Sequence, residues 1–299
     1  FNDSFYRTAA MLLALSAFKN IEGEGEKMQS WIMAIFTVPY LLFPWVAGWL
    51  ADRFSKRRVV IGSKFMELVA MSCGAVGIWT ETWWLVLVMA FMMGFQSCVF
   101  GPALNGSVPE LFDEKRVVMV NSRLKMVMAI MIVLGIAVSG EVLSLNGDGT
   151  TLNTIMGVPS GQFFVGVGVI VLALMGWIVS FGVPYHPPAA PNAKFPIGGP
   201  VHTIRTLWEI FHDRDFRTIL LIDVWIWTFG AMLLLGINPL PSELNIAGED
   251  AAMRLAARLN AVEMLGLAVG GVLSVYLSRR KHWIHLLGVG MLLLGLSAT

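Results

Sequence analysis

The sequence predicts an all-α, polytopic bundle of membrane-crossing helices. Three observations lead to it: an excess of apolar over charged residues, apolar runs long enough to cross a bilayer, and basic residues clustered in alternate loops. Of 299 residues, 56% are hydrophobic and 14% charged, with a mean hydropathy of +0.70. Soluble domains average about 45–50% apolar and about 25% charged. A net charge of +1 and the lack of a Lys/Arg block leave no electrostatic footprint for nucleic acid. Cys73 and Cys98 lie in apolar runs and match no metal-ligand or redox spacing.

A bilayer core about 30 Å thick needs roughly 20 apolar residues of helix to cross it. Measured against that length, spans fall near 28–51, 59–79, 83–107, 117–145, 161–184, 216–240 and 257–278. Shorter apolar pieces occupy 1–18 and 283–299. Phe1 opens inside one and Thr299 closes the other, so both read as cut, and the chain reads as a fragment with about nine spans or parts of spans.

The loops between these spans alternate in charge. One set carries Arg53, Lys56, Arg57 and Arg58, then Lys115 and Arg116, then Lys194, Arg205, Arg214 and Arg217, then Arg279, Arg280 and Lys281. The other set is mainly acidic, with Lys19 and Lys27 among Glu22, Glu24 and Glu26, then Glu81, Asp148, and Glu243 with Glu249, Asp250 and Arg254. The positive-inside rule makes the 52–58, 108–116, 185–215 and 279–282 loops cytoplasmic in a cell inner (plasma) membrane.

The longest connection divides the chain. Residues 185–215 begin with a proline-rich stretch through Pro187, Pro188, Pro191, Pro196 and Pro200, which predicts an extended linker. Val201, Ile204, Leu207 and Ile210 then recur every three residues; an amphipathic helix on the membrane surface fits this spacing, and so does a solvated loop. The expected organisation is a six-helix bundle over 1–184 with its first span incomplete, the linker over 185–215, and an incomplete second bundle over 216–299. Residues 48–58 can be laid on 271–281 at a constant offset, sharing glycine, leucine, serine and basic positions. Repeated halves of this kind place a substrate site between them in many transporters.

The segment Gly48-Trp49-Leu50-Ala51-Asp52-Arg53-Phe54-Ser55-Lys56-Arg57-Arg58 resembles the signature loop between spans 2 and 3 of the major facilitator superfamily, G-x-L-A-D-R-x-G-R-R-x. Gly48, Leu50, Ala51, Asp52, Arg53 and Arg57 match, Lys56 is a conservative change, and Ser55 replaces the second glycine. The resemblance implies a twelve-span transporter, truncated here, whose two bundles alternate access to a central cavity. It also implies that Asp52 serves the inner gate by meeting the N-terminus of span 11, where an anion is favoured. Span 11 is not in this chain. Gly48 is expected to permit close helix approach. Gly48, Asp52, Arg53, Lys56, Arg57 and Arg58 form the expected gating motif.

Phe1-Asn2-Asp3-Ser4, Tyr40-Leu41-Leu42-Phe43-Pro44, Gly101-Pro102-Ala103 ahead of Glu110-Leu111, and Asn121 at the start of span 5 are similar to the bacterial lysophospholipid transporter branch. That branch carries a lysine after its span 4 motif, where this chain has Leu104, and an arginine in span 7, where it has Leu234. The resemblance implies a small amphiphilic substrate, a lysophospholipid, and membrane lipid as partner. Relatives fused to acyltransferase domains supply an alternative, a bifunctional phospholipid-remodelling protein. A non-transporting membrane scaffold is the third reading. No H-x-x-x-x-D acyltransferase motif occurs within these residues.

Charges inside spans cost about 2.5–3.5 kcal/mol on insertion scales, so they face a cavity or a partner. Asp3 and Arg7, four apart, share a helical face and can meet a headgroup or neutralise each other. Spans 1, 4 and 5 line the cavity in the family, so Asp3, Arg7 and Gln96 are expected to face inward, with Asn121 lower on the same wall. Lys64 and Glu67 read as a structural pair, and Arg123 and Lys125 as interfacial anchors. Asp223 and Glu263 are candidates for proton or ion coupling, and either can instead pair with a neighbouring helix. The Met89, Met92 and Met93 stretch reads as helix packing and His282 and His285 as interface anchors. No phosphate-cradling loop and no nucleophile–histidine arrangement is present. No catalytic residue, metal site or cofactor is expected, and the chain reads as no enzyme.

Overall fold

The structure, a computed structural model, describes residues 1–146, 154–244, 251–262 and 265–266. The chain runs through α1 (Asn2–Ala17), α2 (Glu24–Leu42), α3 (Pro44–Arg53), α4 (Lys56–Trp79), α5 (Trp83–Leu111), α6 (Glu114–Leu143), α7 (Ser160–Ser180), α8 (Gly199–His212), α9 (Arg214–Ile237) and the one-turn α10 (Leu240–Glu243). A further helical stretch, α11, covers 251–262. Among the described residues, α4, α5, α7, the 119–143 part of α6 and the 216–237 part of α9 are each long and apolar enough to cross a membrane, and α2 with α3 makes a sixth, broken crossing.

That break corrects the single span expected over 28–51. α2 and α3 meet at 56°. Pro44 has no N–H to donate and its ring pushes Phe43 out of helical geometry; Phe43 sits at φ −119° and its ring packs edge-on against Phe91 and Phe95 of α5. Residues 154–159 form a hairpin that the apolar pattern did not signal. Thr154–Ile155 pairs with Val158–Pro159 across Met156 and Gly157, both at positive φ, the geometry that two-residue hairpin turns demand.

α1 forms the axis of the bundle. It packs against α2, α5, α6 and α7, and Phe5, Tyr6, Ala9, Ala10, Met11, Leu12, Leu13 and Ala14 are all buried. Over its apolar stretch such a helix finds its place through shape, and small residues set where helices touch. A methyl at Gly94 of α5 would overlap the Phe36 carbonyl oxygen of α2, and one at Gly135 of α6 would lie 2.7 Å from the Phe1 carbonyl of α1. Gly48, expected to serve such an approach, has nothing within 4 Å of its would-be Cβ among the described residues. Close approaches are made at Gly94 of α5 and Gly135 of α6 instead.

At the end carrying the basic loops, a smaller core joins Ala47, Val59, Val60, Cys98, Val99 and Ala103. Helix α8 begins on this end, with Gly199 against the Trp45 ring. Its Val201, Ile204, Leu207, Trp208 and Phe211 are exposed. α9 contacts α2 and α8 and leaves Leu221, Val224, Trp227 and Met232 exposed.

Candidate functional site

The first turns of α1 bring Asp3, Tyr6 and Arg7 to one face, because residues three and four apart are helical neighbours. They line a small cavity with Ile32 and Phe36 of α2, Met71 of α4, and Met89, Ala90 and Met93 of α5. Its volume, about 10 Å³, holds roughly one water. The Arg7 guanidinium lies 4.9 Å from the Phe36 ring centroid, a cation–π contact strengthened by the apolar surroundings. Arg7 Nε is buried with no hydrogen-bond partner. Asp3 and Arg7 share the cavity but form no direct ion pair among the described residues, so the aromatic face has taken the place expected for the carboxylate.

Beside this cavity lies a polar cluster, satisfied except for the buried Asn2 Oδ1. Asn2 Nδ2 donates to Glu67 Oε1 at 3.3 Å and to the Val169 carbonyl at 3.1 Å. Lys64 Nζ meets Glu67 Oε2 at 2.6 Å and sits 4.9 Å from the Phe100 ring centroid. The expected Lys64–Glu67 pair is present, and it ties α4 through Asn2 to α1 and α7. Tyr6 Oη donates to the Gly74 carbonyl at 2.7 Å. Tyr6, Phe36 and the role of Asn2 were missed in the sequence, since an aromatic or amide in a span carries no local mark of its partner.

Gln96 is buried at 3% exposure on α5, three residues beyond Met93, where its Oε1 accepts from Ser97 Oγ at 3.1 Å. Asn121 is half-buried on α6. Neither lines the cavity, so the structure joins Asp3 to Arg7 but not these two to them. Asp223 lies on α9 with its side chain outside the described part; Glu263, the 271–281 repeat, His282 and His285 lie outside the described residues.

The signature loop is held from four directions. Lys56 Nζ donates to the Ala51 carbonyl at 2.8 Å in the last turn of α3 and pairs with Glu110 of α5 at 3.1 Å. Arg57 donates to the carbonyl of Phe181, the C-cap of α7, at 3.0 Å. Both cations meet helix C-termini, where unpaired carbonyls favour positive charge. Arg53 lies 5.6 Å from the Trp49 ring centroid and donates to the Ala193 carbonyl, which also accepts from Trp49 Nε1 at 3.2 Å. The Asp52 carbonyl accepts from Ala190 N–H at 2.9 Å, and Phe195 packs edge-on against Trp45 and Trp49. The linker is thereby strapped to α3. The Asp52 and Arg58 side chains are exposed, and the Asp52 carboxylate makes no ion pair among the described residues.

Among the described residues no group of three histidine, cysteine or acidic side chains is placed to hold a metal. No curated protein matches the chain at a significant level. The family model of the Major Facilitator Superfamily matches residues 4–299. A signature loop at the end of a broken crossing and an apolar helical bundle agree with that match: the chain belongs to the Major Facilitator Superfamily, a family of secondary transporters.

Proposed function

We propose that this protein moves a zwitterionic amphiphile, a lysophospholipid, by alternating access between a 1–184 bundle and a bundle that begins at 216. The observation that carries the substrate class is the Asp3–Arg7 cavity. It offers one anion and one cation not paired with each other, an Arg7 Nε with no hydrogen-bond partner, and walls of Ile32, Phe36, Met71, Met89 and Met93. Buried donors seek acceptors, so a phosphate fits Arg7 while a headgroup cation fits Asp3. The thioether and aromatic walls suit an acyl chain, methionine being the most adaptable apolar residue. A cavity of about 10 Å³ has to widen as the helices part before such a substrate enters. The sequence similarity to the lysophospholipid branch supports the same class. Basic loops on the cytoplasmic side of the inner membrane and α8 resting its apolar face on that leaflet complete the reading.

The test uses the full-length protein in proteoliposomes with a labelled lysophospholipid. A charge-assisted hydrogen bond contributes about 1.5–3 kcal/mol, so Arg7→Gln should lower uptake by about 10- to 100-fold. The Asp3→Arg/Arg7→Asp double variant keeps the bundle neutral yet reverses the headgroup contacts, and uptake should stay low. Full activity of the swapped variant would reduce the two residues to structural partners and remove the headgroup reading.

A further inference from the structure

At the end opposite the basic loops, three buried amides from three helical segments form one hydrogen-bonded chain. Asn260 Nδ2, on α11, donates to Asn238 Oδ1 at 2.6 Å. Asn238 Nδ2, one residue beyond α9, donates to Gln29 Oε1 at 2.8 Å. Gln29 Nε2, near the start of α2, donates to the Leu235 carbonyl at 3.3 Å, one of the last carbonyls of α9 and so without an intrahelical partner. Gln29, Asn238 and Asn260 are 1%, 4% and 0% exposed. Nearby, Gly140 of α6 lets α11 approach so closely that an added methyl would lie 2.8 Å from the Met253 carbonyl. Met253, Ala256 and Ala257 join the core that surrounds α1, and Glu141 pairs with Arg258 at 2.5 Å on the surface. The hydrogen bonds and ion pair described between residues 1–184 and 214–262 all lie at this one end.

We propose that Gln29, Asn238 and Asn260 are the gate of that side: the amide chain joins the two bundles while the side is shut and parts when it opens. This rests on the alternating-access reading above. Neutral amides suit the task, because each interhelical hydrogen bond in a membrane contributes only a little to helix association. The chain is also incomplete in the shut state. Asn260 Oδ1 is buried without a partner, and opening lets water reach it, which offsets part of the bonds lost. The exposed Glu141–Arg258 pair adds little on its own, being screened.

The test reads access rather than transport. In the full-length protein with all native cysteines replaced by serine, Cys73 and Cys98 among them, a single Ile32→Cys reporter sits three residues inward of Gln29, in the cavity wall. A membrane-impermeant maleimide is applied from the gate side of proteoliposomes. Asn238→Leu should raise the labelling rate by about 5- to 30-fold, the population shift that one to two kcal/mol produces. Oxidising Gln29→Cys to Asn238→Cys in the same background should lower labelling below that of Ile32→Cys alone, and this pair decides the matter if Asn238→Leu does not fold. Labelling that neither change moves overturns the gate. If lysophospholipid uptake is absent from the wild type while the labelling changes appear, the substrate reading fails and the gate stands.

Discussion

A single methyl at Gly94 tests whether close helix approach, and not the signature glycine, holds the first bundle together. A Cβ built on Gly94 overlaps the Phe36 carbonyl oxygen, lies 3.0 Å from its carbon and 3.2 Å from Pro39 Cγ. The obstacles are backbone and a ring, not the free end of a flexible side chain, so α2 and α5 must part by on the order of 1 Å to restore ordinary contact. Overpacking a tight site costs about 1–3 kcal/mol, and backbone obstacles put Gly94 at the upper end. Alanine for glycine within a helix returns up to about 1 kcal/mol of intrinsic propensity. The net for Gly94→Ala is then a loss of about 2 kcal/mol. Gly48→Ala meets nothing within 4 Å and keeps the propensity gain of up to about 1 kcal/mol, a contrast of about 3 kcal/mol between the variants. Thermal unfolding of the detergent-purified full-length protein, followed by a thiol-reactive dye, measures this, because Cys98 is only 6% exposed and reacts as the bundle opens. Equal midpoints for Gly94→Ala and Gly48→Ala would refute the steric reasoning.

Two further outcomes concern the signature loop. Asp52→Asn should lower uptake in reconstituted vesicles by about 5-fold, the effect of about 1 kcal/mol for an anion at a helix N-terminus, with membrane insertion unchanged; undiminished uptake would take Asp52 out of the gate. Lys56→Met removes the partner of Glu110 (side chains 9% and 23% exposed) and should destabilise the purified protein by about 2–4 kcal/mol, discounted from a fully buried pair for Glu110's solvent access. Adding Glu110→Gln should restore part of that loss in the same thermal assay, and strictly additive losses would deny the coupling.

The spans were legible because the bilayer simplifies the code. A helix in lipid needs length and apolarity, and α4, α5, α6, α7 and α9 supply both without any need for amphipathic period. The signature loop was legible for a different reason, a run of matching residue types, and of its cations only Lys56 finds its carbonyl nearby, at Ala51; Arg57 reaches Phe181, 124 residues on. What stayed hidden was partnership at a distance. Asp3 and Arg7 share a face as their spacing says, yet Phe36, from another helix, holds the guanidinium. Pro44 stood in plain view inside the expected 28–51 span, but whether a proline kinks or ends a membrane helix depends on what packs there, and Phe43 lodged between Phe91 and Phe95 settles it. Gln29 and Asn238 are 209 residues apart, and each, read alone, is an ordinary polar residue near the end of a span.

The interior polar contacts sort by what parting them would cost. Lys56–Glu110, which joins α4 to α5, is an ion pair wholly within the first bundle. Separating such a pair in a low-dielectric interior leaves two bare charges, a penalty of several kcal/mol for each ion. A contact of that kind holds α4 and α5 as one body through every step of a cycle. The Gln29–Asn238–Asn260 chain lies between the bundles and carries no formal charge. Its bonds break for a small fraction of that penalty, and water replaces them as the side opens. A carrier that rocks two rigid bodies needs strong contacts within each and weak, specific ones between them. A part-buried ion pair inside the bundle and amides at its seam, where the exposed Glu141–Arg258 pair is screened by solvent, meet that requirement, and an exchange of the two chemistries would not: buried charges at the seam would lock the carrier shut, and amides alone at Lys56 and Glu110 would hold α4 to α5 more weakly.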